Sequence, residues 1–276
     1  MKRILLSLAF LSLTSLGFAQ KTKNFKIMPS QAKEAKDKGN VKLADSIAQD
    51  YINNYLFKLK EGELMTKDNL SFIREFINID GKGFKLFIKQ PDKVNVVLGD
   101  YAAQYGIRMA IYKACMPKGD INIRKNVDWN SLEKTITSKY GAVGQEEVYA
   151  NAMYTYQQAE DWINFGKYYM LYFKKALKHP VYEINNLSWS LFEHVEDQDV
   201  LRFACDVMKY AIEEFAYKDY QSLDTYANLL YKTGKKDEAI TWEEKAVKLS
   251  NNEKSIVETL DKMKNNIATW PQTAKN

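Results

Sequence analysis

The chain has 276 residues, of which 40 are Lys or Arg and 35 are Asp or Glu, giving a formal net charge of +5. The two signs are interleaved rather than gathered into a basic stripe, which argues against a nucleic-acid-binding surface. Only two His and two Cys occur, with no His-Glu-x-x-His and no Cys/His ligand spacing, so no metal site and no cofactor are expected.

Lys2 and Arg3 precede a mostly apolar run from Ile4 to Leu16, and Gly17-Phe18-Ala19 places small residues at a cleavage position after Ala19. This is the pattern of a secretory signal peptide over residues 1–19. The run is shorter than the roughly 20 apolar residues needed to span a bilayer. No Cys sits at the cleavage site to carry a lipid. Cleavage removes Lys2 and Arg3 and takes the net charge to +3. The expected location is periplasmic or secreted, with no later membrane span.

Residues 20–29 read as an exposed lead-in, and 30–144 as a helical region of unspecified repeat type. Pro29-Ser30 opens a short helix that Gly39-Asn40 turns. A helix follows over about 41–57, with Leu43, Ile47, Tyr51 and Tyr55 on one face. Thr66 is placed as the N-cap of a helix carrying Leu70, Ile73 and Ile77. Asp80 to Gly83 breaks it, Phe84 to Ile88 forms a short helix, and Pro91 suits the first position of the next. Gly99 and Gly106 interrupt the region before a helix at Ile107–Met116, and Pro117 to Asp120 is a loop. Asp128 caps a helix around Leu132 and Ile136 that ends before Gly141. Helices over 145–158 and 162–178 precede Pro180. Cys115 and Cys205, 90 residues apart in apolar helical contexts, read as buried free thiols.

From 145 to 270 the pattern becomes repetitive. Leu223, Tyr226, Ala227 and Leu230 share a face, and Gly234 suits a left-handed cap. Asp237 and Glu238 sit in the first turn of the next helix, where negative charge meets the positive end of the helix dipole. Ala239, Trp242, Ala246 and Leu249 form the facing stripe. Ala204 and Ala211 repeat the Ala239/Ala246 spacing 35 residues upstream, close to a tetratricopeptide period. The fold expected is all-α, an α-solenoid of antiparallel helix pairs, tetratricopeptide-like in its C-terminal part. Tyr149, Tyr154, Tyr156, Trp162, Tyr168, Tyr169 and Tyr172 are expected mostly in the core, with two or three exposed in a groove.

The run Leu223-Asp224-Thr225-Tyr226-Ala227-Asn228-Leu229-Leu230-Tyr231-Lys232-Thr233-Gly234-Lys235-Lys236-Asp237-Glu238-Ala239 resembles the helical C-terminal extension of exported bacterial thioredoxin-family proteins. Asn186 to Trp189 and Glu193 to Asp197 resemble the same extension, as, less closely, do Ala44 to Ala48 and Gly83 to Phe87. The redox domain of that family carries a Cys-x-x-Cys pair. This chain has no such pair and no room for the domain between the signal and residue 40, so the resemblance implies only a helical accessory module.

No phosphate-binding loop and no nucleophile elbow is present, and no catalytic residue is expected. The adjacent pairs Glu146-Glu147 and Glu243-Glu244 point about 100° apart and read as solvated faces. His179 and His194 read as helix-end residues. The expected function is a non-enzymatic protein-interaction or scaffold module with a protein or peptide partner and no nucleic acid. The alternatives are a thiol–disulfide accessory to a separate thioredoxin-like protein, and a small-molecule or glycan binder using residues 149–172. Resemblance to tetratricopeptide proteins places Asp224, Thr225, Asn228 and Lys232 on a concave partner-binding face, with Trp242 buried behind them.

Overall fold

The computed structural model describes residues 24–176, 179–180, 183–215 and 218–271. The expected signal peptide lies outside them. Among the described residues the secondary structure is entirely helical, with no strand. The chain divides into two compact units, Met1–Leu64 and Met65–Asn276.

In the first unit α1 (Met28–Asp37) packs on α2 (Val41–Asn54), followed by a 3-10 turn at Leu56–Lys58 and the short α3 (Glu61–Leu64). The Asn40 side chain accepts from the Leu43 N–H and caps α2. The buried face of α2 is Ala44, Ala48, Tyr51 and Ile52. Leu43 and Tyr55, expected inside, are exposed. The small residues decide the register: Ala44 and Ala48, with Ala32 and Ala35 of α1, permit a close helix approach that larger side chains would prevent.

The second unit begins with α4 (Lys67–Glu75), α5 (Lys82–Lys89), α6 (Pro91–Leu98) and α7 (Ala102–Cys115). Thr66 caps α4 through the Asn69 N–H, and Pro91 occupies the first turn of α6. Gly106 does not interrupt the region; it lies inside α7, where an added Cβ would come within 2.8 Å of the Phe87 ring. Its role is to let α5 and α7 touch. After α8 (Ile121–Arg124), Asp128 caps α9 (Trp129–Gln158) by accepting from the Ser131 N–H. Gly141, at φ +65°, kinks α9, so residues on both sides of it belong to one bent helix, and residue 145 falls inside that helix.

Six helices complete the unit: α10 (Trp162–Ala176), α11 (Ile184–His194), α12 (Gln198–Glu214), α13 (Tyr220–Lys232), α14 (Lys236–Leu249) and α15 (Lys254–Lys264). They pack with their sequence neighbours, α9 on α10, α11 on α12 and α13 on α14. Gly234, at φ +86°, closes α13 as expected, with the Lys235 N–H donating to the Leu230 carbonyl. Ala204, Ala211, Ala239 and Ala246 have no exposed surface.

The stripe of α14 differs from expectation. Its buried residues are Ala239, Glu243 and Ala246. Trp242 is half-buried, edge-on to Tyr226 with ring centroids 5.3 Å apart and the Lys245 ammonium 3.6 Å from its ring centroid. Leu249 is exposed. The amphipathic Trp fits a margin position, one face on Tyr226 and the other under a cation. Because Ala239 is enclosed, Ala239→Leu is expected to overpack the α13–α14 contact and cost about 1–3 kcal/mol. An unchanged urea midpoint would contradict that packing.

Candidate functional site

The residues expected to line a groove do not form an open one. Asp224, Thr225, Asn228 and Lys232 of α13 are all buried. The Thr225 hydroxyl donates to the Gln221 carbonyl 3.0 Å away. The Asn228 amide nitrogen donates to the Asp224 carbonyl and carboxylate, both at 2.9 Å. The Lys232 ammonium donates to the Phe192 carbonyl at 2.8 Å and pairs with Glu196 at 3.0 Å, tying α13 to the end of α11. The physical reason is that α13 lies against α11, α12 and α14 at once, so its polar positions become interior ones.

Below them lies Glu243, read from the sequence as part of a solvated face and fully buried in the structure. Burial, and then the charge of Asp224, push its carboxyl up to about 10. Burial also raises Asp224, to about 6, against the hydrogen bonds from Glu243 and Asn228 that favour its charged form. Protonation of Glu243 leaves one charge in this buried pair instead of two. Neither Glu243 oxygen has a partner at hydrogen-bond geometry among the described residues.

A second polar centre joins α7 to α9. Arg108 is 4% exposed; its Nε donates to Glu147 at 2.9 Å and its Nη1 to Glu146. Glu146 and Glu147 are likewise buried, not solvated. Their side chains diverge along α9 yet both reach one guanidinium, which is planar and offers donors on two edges. The aromatic ring of Tyr172 in α10 faces the same guanidinium at 6.0 Å. His179 approaches from beyond α10, with its Nε2 3.6 Å from Glu146.

These residues border a cavity of about 660 Å³, lined by Arg74, Leu98, Tyr101, Tyr105, Arg108, His179 and Phe215 among others. Tyr101 precedes α7 in a left-handed backbone conformation, φ 58°. That conformation is uncommon for a residue with a bulky side chain and marks a position held by its surroundings. Its ring stacks on His179 with centroids 4.7 Å apart. Two polar atoms at this centre, Arg108 Nη2 and His179 Nδ1, are buried without a hydrogen-bond partner among the described residues. Sequence reasoning missed this site, although a signal existed. Arg108 is the only charged residue between Gly106 and Ile111, and Glu146-Glu147 immediately precede the apolar run that begins at Val148.

The aromatic segment 149–172 is mainly core. Tyr168, Tyr169 and Tyr172 are buried, while Tyr154 is exposed and Tyr149, Tyr156 and Trp162 are half-buried. His194 stacks on Trp162 at 4.0 Å. Cys115 and Cys205 are free thiols, Cys205 buried and Cys115 partly so. Burial raises both, Cys205 to about 11. No group of three or more potential metal ligands occurs among the described residues, and none of their helices is long and apolar enough to cross a membrane. No family model, curated protein or solved structure matches the chain.

Proposed function

We propose that the chain is an exported, non-catalytic protein-interaction or scaffold module, a helical accessory built on tetratricopeptide-like pairs. One observation carries the reading. The buried charges of the second unit are committed to one another across helices, while large apolar side chains stand in solvent along α6 and α7. Val96 is 87% exposed, and Tyr101, Tyr105 and Tyr112 are more than 40% exposed. Tyr105 and Tyr112, seven apart, fall on one face of α7, and Tyr101 flanks its start. Aromatic residues are enriched at protein interfaces. A partner meeting this face gains apolar burial without disturbing the interior.

The test is affinity capture from periplasmic extract with the mature protein, beside a Tyr105→Ser, Tyr112→Ser double variant. The variant is expected to keep the wild-type unfolding midpoint and to lose most of the retained protein. Equal retention by both would remove α7 as the docking face.

Nothing in the thiols favours the redox alternative. A thiolate is the reactive form, and burial holds both cysteines protonated at neutral pH. The double variant Cys115→Ser, Cys205→Ser is therefore expected to capture the same proteins as the wild type.

A further inference from the structure

We propose that the cavity bordered by Tyr101, Arg108 and His179 binds a small organic carboxylate with an apolar body. The cavity shares Tyr101 and Tyr105 with the protein-docking face, but its polar end, at Arg108 and Arg74, lies apart from the variants that test that face. Its volume, about 660 Å³, lies within the roughly 300–1,000 Å³ typical of small-molecule pockets.

Three features point to the ligand chemistry. The first is the unmet donor. Glu147 and Glu146 take the Nε and Nη1 of Arg108 and fix the plane of its guanidinium, leaving Nη2 buried and without an acceptor among the described residues. A buried polar group left unpaired costs about 1–3 kcal/mol, and a ligand oxygen removes that cost. The second is Arg74, half-buried, lining the same cavity and without an ion-pair partner among the described residues. The third is the wall: Leu98, Tyr105 and Phe215 offer apolar and aromatic surface beside the polar end.

The donors, rather than the net charge, select the ligand. Arg74 and Arg108 face Asp100 at the cavity and Glu146 and Glu147 behind it. His179 is the remaining titratable group, and Tyr101 stacks on it. Three acids against two guanidiniums leave no surplus positive field, so recognition rests on the directional donors of Arg108 and Arg74, which a carboxylate oxygen can accept from and an ammonium cannot. A singly charged carboxylate can accept directional hydrogen bonds from Arg108 and Arg74, bonds that are strong because the donors are ionised. Glu146 and Glu147 act as positioning residues that hold Arg108 in place.

The test titrates the mature protein with 3-phenylpropionate, 3-phenylpropionamide and 3-phenylpropylamine, read by ligand-observed NMR. The three share one apolar body and differ in the polar end. The acid is expected to bind at least about tenfold more tightly than the amide, and the amine not at all. Arg74→Gln removes no ion pair and is expected to weaken acid binding about fivefold or more at an unchanged unfolding midpoint. Leu98→Trp, which fills the cavity from its wall, is expected to abolish it. The proposal is overturned if the acid does not bind the wild type, if all three probes bind alike, or if acid binding survives both variants unchanged.

Discussion

Replacing Arg108 with Met is expected to lower the unfolding free energy by about 3–5 kcal/mol, the range seen when one partner of a buried ion pair is removed. The substitution keeps most of the side-chain volume, so the loss reads out charge rather than a cavity. It leaves Glu146 and Glu147, both buried, on adjacent positions of α9 with their shared cation gone. A domain of this kind is stable by only about 5–15 kcal/mol, so the variant should show a large drop in urea midpoint. Adding Glu146→Gln and Glu147→Gln to Arg108→Met should restore part of the loss, because the stranded charges are then neutral. A triple variant no more stable than Arg108→Met alone would show that the three residues do not act as one unit. The cavity next to Arg108 should also lose its acid-binding capacity in every variant lacking the guanidinium.

The second large effect lies at Glu243 and is pH-dependent. Its carboxyl has an ordinary value of 4.5 and is pushed up to about 10 by burial and by Asp224. Between those values the folded chain keeps a proton that the unfolded chain has released. Stability contributed by the protonated form is therefore complete below about pH 4.5 and is lost as pH rises toward 10. Asp224, raised in the same direction to about 6, adds to the loss in the lower part of that window. Glu243→Gln removes the titration and the buried charge next to Asp224. The variant should match the wild type near pH 4.5 and exceed it by about 2–4 kcal/mol at pH 9; one pH unit sets a ceiling of about 1.4 kcal/mol. A gain that is constant from pH 5 to pH 9, or a loss throughout, would mean that Glu243 is not the protonated member of the pair.

Most helices were legible because their ends are chemically marked. Thr66, Asp128 and Gly234 do at their positions what their side chains and φ preferences favour. The alanines of α12 and α14 were legible because a 35-residue recurrence of small residues implies repeated close approach. Burial of charge was not legible. Glu146, Glu147 and Glu243 occupy interior positions only because a partner from elsewhere in sequence or in the repeat meets them there: Arg108, 38 positions before Glu146, and Asp224, on the preceding helix. Helical periodicity reports which residues share a face, and it carries no information about what that face meets. The same limit explains α13, whose polar residues were expected on an open groove yet lie between three neighbouring helices. The register errors at Leu43 and Trp242 have a related cause, since large apolar side chains were weighted as interior where small residues set the contact.

The proposed role is that of a chain that binds without transforming what it binds. Its direct test is an intact-mass measurement on the material retained by affinity capture, after incubation at pH 7 with an excess of the mature protein. Masses identical to those in a parallel sample without the protein are expected. A mass change in a retained molecule that requires the protein, and that persists after all other extract proteins have been removed, would overturn the non-catalytic role.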